Sequence, residues 1–353
     1  MAKKTKTEEV EINDDDVGRA LAAIRKSYGD IVCSGQSLVD KKQMVIPVCP
    51  SMDGMLGGGF GEGSWVSMSG PPGCGKTVTA LSFAANAQKP EYGSRTVFLY
   101  ASEHRAKKRD LLGIKGLDIS DSKFHIVKSE KGKILSSKDF LNIAGEFMKS
   151  VPNSVHIFDS VSSLISPKVL EEGIGTEDRS SGYKLIGQFC DIHSSTVPIN
   201  NLILIGIIQM IANTSGMGKG SVEKGANKWF YQADVRLQCK WAEAWRIGSD
   251  ENSQQIGQKL HWTIAKTALN VGPGGKAETY LRYGTGIDRV YEVLLYAKDI
   301  GLIQGSGSWL SFDYLDGEDK PKFQGMEKAY RALEENPEWF DKLIKMISTQ
   351  DAA

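Results

Sequence analysis

Residues 70–77 read Gly-Pro-Pro-Gly-Cys-Gly-Lys-Thr, with the residue types and spacing of a phosphate-binding loop. Gly70, Gly73 and Gly75 let backbone N–H groups turn inward around phosphate oxygens. Lys76 supplies a charge for the outer phosphates, and the Thr77 hydroxyl is a ligand for Mg²⁺. The run Val155-His156-Ile157-Phe158-Asp159 is apolar and ends in a carboxylate. That is the form of a strand whose last Asp holds Mg²⁺, directly or through water. Ser160 either supports that site or caps the helix that follows, and the cap is the favoured reading. Residues 96–101 run into Ser102-Glu103-His104, and Glu103 has the chemistry to orient and deprotonate an attacking water. An ordinary surface Glu is the competing reading.

Two lysine-bearing stretches follow. Residues 202–208 end in Gln209, and a Gly-rich stretch at 211–226 carries Lys219 and Lys224. A long loop of that composition with little structure of its own suits phosphate contacts, against the bland reading of a solvated linker. Lys266 follows 260–264 and precedes a Gly-Pro-Gly-Gly turn at 272–275. A lysine there reaches a nucleotide, its own or a neighbour's, or is merely solvated.

These residues need a scaffold. Residues 65–68 read as a buried strand before the loop and 77–87 as a helix after it, with its positive N-terminus behind the phosphates. The apolar runs at 96–101, 155–159 and 202–208 suit strands of a parallel sheet buried on both faces. Glu103 is expected on a strand next to the phosphate-loop strand, at the edge where ligands bind in open α/β sheets. The runs at 235–239, 260–264 and 279–282 follow with less helix between them and predict an antiparallel extension. Beyond Gly284-Thr285-Gly286, helices at 290–299 and 325–335 with a strand at 308–312 predict a small α+β domain. At the other end, residues 1–16 are charged and read as a solvated tail. A helix starts at Val17 behind an Asp16 N-cap, with Leu21, Ile24 and Tyr28 in one stripe. That stripe must pack on its own core or on another subunit.

Composition excludes more than it selects. Among 353 residues, Lys+Arg and Asp+Glu are both 43, so any nucleic-acid site must be local. The five cysteines have no C-x-x-C spacing, which argues for reduced intracellular thiols and against a disulfide framework or zinc site. No apolar run is long enough to span a membrane or to serve as a secretory signal.

In order and spacing these stretches resemble a RecA-type recombinase from about Val17 to Leu343. Residues 20–24 with Tyr28-Gly29 resemble its N-terminal helix, Gly70 to Thr77 its phosphate loop, and Ser102-Glu103-His104 the segment of its catalytic glutamate. Asp159-Ser160-Val161 resembles its Mg²⁺ strand, and Glu172-Gly173-Ile174-Gly175 the opening of its first DNA-binding loop. Gln209 falls on its γ-phosphate-sensing glutamine, 211–226 on its second DNA-binding loop, and Phe230-Tyr231 with Val235-Arg236-Leu237 on the segment after it. Lys266, Ala277-Glu278, 283–287 and 305–309 continue the likeness into a small C-terminal domain.

The resemblance implies an α/β fold: a RecA-like phosphate-loop ATPase core with a mostly parallel sheet, an N-terminal oligomerisation helix and a small C-terminal domain. The implied boundaries are 1–16 for a disordered tail, 17–45 for helix and linker, 46–286 for the core, and 287–353 for the last domain. ATP and Mg²⁺ are the implied cofactors, with Glu103 and Lys76 catalytic. Gly70, Pro71, Pro72, Gly73, Cys74, Gly75, Lys76, Thr77, Thr79, Asp159, Gln209 and Lys266 would bind the nucleotide, Thr77 and Asp159 the metal. Ile174, Gly175, Arg179, Lys184, Ile211, Met217, Lys219, Lys224 and Gly225 would meet DNA. The implied protein is a DNA-dependent ATPase that polymerises into a helical filament on single-stranded DNA. It would exchange strands with homologous duplex DNA in recombination and DNA-damage repair, in a bacterial or phage-infected bacterial cytoplasm.

Departures accompany the likeness. Lys266-Thr267-Ala268 stands where bacterial members usually have K-x-K, and Lys107, Lys108 and Arg109 stand where a tyrosine would stack on adenine. Asp191 stands near an expected arginine, for which Lys184 would serve, and no acidic tail follows Ser348. These point to a bacteriophage-type relative. A hexameric helicase-type or clock-type ATPase of the same fold is the alternative. A small-molecule phosphotransferase would want an arginine-rich lid, for which no stretch qualifies.

Overall fold

The computed structural model describes residues 14–103, 107–173, 181–212, 221–223, 227–247, 253–267, 272–317 and 320–350. Two compact units make up the chain, Met1–Gln43 and Met44–Ala353. In the first, a helix spans Asp14–Tyr28. It begins before the expected N-cap, so Asp16 lies inside the helix and pairs with Arg19 at 3.3 Å. Val17, Ile24 and Tyr28 are exposed. A short helix, Gly35–Asp40, follows and is capped by Ser34.

The second unit opens with a small hairpin of β1 (Val45–Ile46) and β2 (Phe60–Gly61). The central sheet then takes β3 (Ser64–Gly70), β4 (Val97–Ala101), β5 (Phe124–Val127), β6 (Val155–Asp159), β7 (Ile203–Ala212), β8 (Ser221–Glu223), β9 (Val235–Ile247), β10 (Gln254–Lys266), β11 (Lys276–Arg282) and β12 (Gly286–Ile287). Its spatial order is β12-β11-β10-β9-β3-β7-β6-β4-β5, with β8 paired to β7 off that path. The stretch from β9 to β5 is parallel. β10, β11 and β12 extend it antiparallel, as the thinning of helix between the late strands predicts.

The pleat sorts the apolar runs onto two faces. Val66, Leu99, Ile157 and Ile205 face one core, with Ala80, Leu81, Phe83 and Ala84 of helix Lys76–Ala87. Trp65, Phe98, Phe158 and Leu204 face the other, under helices Ser137–Ser150 and Ser181–His193. Both faces are covered, so β3, β4 and β6 are buried almost throughout and show no polar alternation. Helix Ser137–Ser150 starts where it does because Ser136 and Asp139 form a reciprocal capping box, at 2.8 and 3.3 Å. Phe83 is fully buried, and truncation to Ala would cost about 3–5 kcal/mol.

Beyond the sheet, helices Arg289–Asp299, Met326–Glu335 and Pro337–Gln350 enclose a core of their own, with Leu294, Phe312, Leu333 and Leu343 at its centre. The single strand expected at 308–312 is the middle member of a three-stranded antiparallel sheet: β13 (Gln304–Ser306), β14 (Trp309–Ser311) and β15 (Lys322–Gln324). Among the described residues no helix is long and apolar enough to cross a membrane.

Candidate nucleotide site

β3 delivers the phosphate loop at the edge where the parallel strands end. Gly70 and Gly75 carry φ of 152° and 72°, which favour glycine. Their close neighbours exclude a side chain as well. A Cβ on Gly70 would meet the Cys239 carbonyl oxygen at 2.8 Å, and one on Gly75 would meet Leu260 Cδ1 at 2.5 Å. The loop is thus laid directly on β9 and β10. Gly75 is the N-cap of helix Lys76–Ala87, so the helix N-terminus points into the loop. Lys76 Nζ donates to the carbonyl oxygens of Gly70 at 2.9 Å and Pro71 at 2.7 Å, which folds the ammonium over the loop. Pro72 and Gly73 form its exposed crest. Thr79 does not face the ligand side. It is fully buried and its hydroxyl donates to the Gly75 carbonyl at 3.0 Å, bracing the loop from beneath.

Thr77 Oγ1 donates to Asp159 Oδ2 at 2.8 Å, joining the first turn of the helix to the end of β6. A hydroxyl and a carboxylate side by side, next to a ring of amides and a lysine, are the donor set that a triphosphate with Mg²⁺ requires. Among the described residues no group of three His, Cys, Asp or Glu gathers into a metal site without such phosphates.

Glu103 follows β4, which is not the neighbour of β3 as the sequence suggests: β7 and β6 lie between them. The carboxyl nevertheless reaches the site because a serine cluster gathers it in. Ser160 Oγ donates to Glu103 Oε1 at 2.7 Å and Ser163 Oγ does so at 2.8 Å. Gln209 Nε2 donates to the same oxygen. Three donors on one oxygen set the orientation of the carboxyl group. Ser160, expected to cap a helix, makes no cap bond in the single 3₁₀ turn Val161–Ser163 and spends its hydroxyl on Glu103. Ser102 Oγ donates to the Ser160 carbonyl at 2.8 Å and accepts from the Ser160 amide at 2.9 Å. These serines carry no motif of their own. Their only sequence signal is the density of hydroxyls in Ser160-Val161-Ser162-Ser163 directly after Asp159.

Gln209 does not end its strand. β7 runs on to Ala212 and pairs antiparallel with β8, Met210 opposite Glu223 and Ala212 opposite Ser221. The stretch expected as a loop with little structure of its own therefore opens as a hairpin. The Gln209 amide also donates to Ser162 Oγ at 3.0 Å.

Lys266 is not brought to this site. β10 runs antiparallel, so its last residue lies at the far edge of the sheet, where Nζ donates to the Tyr231 carbonyl at 3.4 Å and to that of Ala233. Lys184 is exposed in the first turn of helix Ser181–His193. Asp191 pairs with Lys228 at 2.7 Å. Lys107 precedes the exposed helix Lys108–Leu112, its backbone amide donating to Asp110 Oδ2 at 3.2 Å. Ile174, Gly175, Arg179, Met217, Lys219, Lys224 and Gly225 lie outside the described residues, as does the side chain of Ile211.

Residues 15–288 match the family described as the RecA N-terminal domain. The Protein RecA of Streptococcus pyogenes serotype M5 (strain Manfredo) is 28% identical over 357 residues, covering 98% of this chain and 90% of that protein. The Protein RecA of Nitratidesulfovibrio vulgaris (strain DP4) is 28% identical over 351 residues, covering 95% and 90%. That of Streptococcus equi subsp. zooepidemicus (strain MGCS10565) is 28% identical over 353 residues, covering 97% and 89%.

Proposed function

The chain belongs to the RecA family, and on that premise we propose that it is a DNA-dependent ATPase that polymerises on single-stranded DNA and exchanges strands with a homologous duplex. The observation that carries this reading is the convergence of Ser160, Ser163 and Gln209 on Glu103, beside the Thr77–Asp159 pair. Bound ATP with Mg²⁺ supplies the phosphoanhydride bond and a cation that draws charge from the transferred phosphoryl group. The amides of 70–77 and Lys76 hold the phosphates, and Thr77 and Asp159 hold the metal. Glu103, oriented by its three donors, takes a proton from water. Gln209 sits between that carboxyl and the β7–β8 hairpin, so a change of its partner is passed to the stretch assigned to DNA. Ile174, Gly175, Arg179, Lys184, Lys219, Lys224 and Gly225 line the path of the DNA, the basic ones contacting backbone phosphates whatever the sequence, and Ile211 or Met217 wedges between stretched base steps.

In this reading the helix of the first unit joins subunits head to tail, giving an open helical filament. Residues 46–286 are the ATPase core and 287–353 a small C-terminal domain. Lys266 meets a neighbouring subunit's nucleotide. The protein works in recombination and repair in a bacterial or phage-infected bacterial cytoplasm. A strand-exchange assay tests it: product with a homologous duplex, ATP and Mg²⁺, and none with a heterologous one. Closed rings in electron micrographs with ATP and DNA, together with no homology-dependent product, would replace it with the hexameric-motor reading.

A further inference from the structure

The phosphate loop contains a thiol that the nucleotide chemistry does not use. Cys74 Sγ accepts from Lys76 Nζ at 3.5 Å, and beside it lies the side chain of Cys239 on β9, whose thiol donates to the Trp241 carbonyl at 3.5 Å. The two side chains meet over the bare α-carbon of Gly70. A Cβ built there would lie 2.8 Å from Cys74 Sγ and 3.0 Å from Cys239 Cβ. Both cysteines are buried, but Cys74 lies directly under the exposed crest of Pro72 and Gly73. The neighbouring Cys239 thiol, and then the charge of Lys76, hold the Cys74 thiol down at about 7 against the opposing effect of burial. Cys239 is pushed up, first by the neighbouring Cys74 thiol and then by burial, so the first proton leaves from Cys74. A thiolate-prone cysteine with a second cysteine beside it is the arrangement of an attacking and a resolving pair.

We propose that Cys74 and Cys239 form a hydroperoxide-driven disulfide that closes the nucleotide site, a modification site built into the phosphate loop itself. The Cys74 thiolate attacks one oxygen of hydrogen peroxide. An S–O bond forms, the O–O bond breaks, and hydroxide leaves. The Cys239 sulfur then attacks the Cys74 sulfur, the S–S bond forms and the S–O bond breaks. The two thiol protons end in water, so two thiols and one peroxide give one disulfide and two waters. The thiols lose the two electrons that the peroxide gains. The bond draws the sulfurs to about 2.05 Å, well inside a thiol–thiol contact. That pulls the loop toward β9 and parts Cys74 from Lys76. A displacement on the order of 1 Å in a positioning loop is enough to cost about tenfold or more.

The gating half of the proposal rests on the reading of 70–77 as a triphosphate site, and the experiment separates the two. The full-length protein is reduced, then treated with hydrogen peroxide. Peptide mass spectrometry reads the Cys74–Cys239 link, and a fluorescent ATP analogue with Mg²⁺ reads binding. The expected result is a linked peptide, a loss of affinity of about tenfold or more, and full recovery with dithiothreitol. Prior addition of the analogue should slow the linkage, because it covers the crest above Cys74. Cys239→Ser and Cys239→Ala should bind the analogue as before and lose both the link and the reversible drop. No linked peptide from protein that binds the analogue would overturn the disulfide. A linked peptide with unchanged affinity would overturn the gating. Reduced protein that fails to bind the analogue would instead overturn the nucleotide reading, while the mass spectrum would still decide the disulfide.

Discussion

In the parallel half of the central sheet, strands far apart in sequence end at one edge; in the antiparallel half, the ends alternate. β3, β4, β6 and β7 bring Lys76, Glu103, Asp159 and Gln209 to the same side, although 133 positions separate the first from the last. β10 turns back, and its terminal Lys266 lies at the opposite edge. Direction alone decides which strand-end residue joins the site. Burial follows depth in the sheet. The inner parallel strands β3, β4 and β6 are covered on both faces, whereas β9, which joins the parallel half to the antiparallel one, alternates buried and partly exposed positions with β10 and β11.

The sharpest way to break this comparison is at the edge where the parallel strands converge. Lys76→Ala removes the charge that folds over the loop and should abolish nucleotide binding or hydrolysis; normal DNA-stimulated turnover in that variant would sink the assignment. Glu103→Gln keeps the shape and loses the base. Turnover should fall by about 10²–10⁴-fold while nucleotide still binds, measured by steady-state ATPase beside equilibrium binding. Gln209→Ala leaves both ligands able to bind but should remove their mutual enhancement, about 5–150-fold. The loss must be equal in both directions, which paired titrations check.

The antiparallel half should answer differently. Lys266→Ala should leave the affinity of isolated subunits for nucleotide unchanged and lower ATPase only in the assembled filament. A loss in dilute, unassembled protein would place Lys266 at its own nucleotide after all. The smallest effect concerns Glu292, whose carboxyl accepts from Tyr280 N at 2.9 Å and Ser51 N at 3.2 Å. Burial pushes it from about 4.5 to about 7. The native state therefore keeps a proton that the unfolded chain has released, and this contribution to stability declines as pH rises from about 4.5 through about 7. Glu292→Gln stays neutral. Its melting temperature should gain on that of the parent between pH 5 and pH 8, about one to a few degrees in this size range. A difference that does not change with pH would rule the linkage out.

What the sequence disclosed follows the same division. Gly70 to Thr77, the strand ending in Asp159 and the helix behind the loop are legible because short-range spacing carries them. Strand adjacency is not local. Nothing in residues 96–103 says that β6 and β7 stand between β4 and β3, and so Glu103 was expected one strand from the loop. Ser160 has the residue type of a cap and the position of a ligand support, and only the approach of Glu103 from another strand decides between them. The hairpin after Gln209 hides in a Gly-rich stretch whose propensities favour turns, and its strand pairing comes from β7 continuing past the sheet edge. Direction also misleads by propensity alone: 260–264 looks like the other apolar strands, and only its pairing with β9 sends Lys266 away from the loop.

The pairing of Gly70 with Gln209 across β3 and β7, and of Ala101 with Asp159 across β4 and β6, limits where this chain can change length. One residue inserted into β7 ahead of Gln209 would exchange its two faces, send Leu204 and Ile205 to the wrong cores, and lift the glutamine off Glu103. An insertion outside the paired span leaves every one of those partners in step. Relatives of this chain should therefore agree, residue for residue, in the span from Ile203 to Gln209.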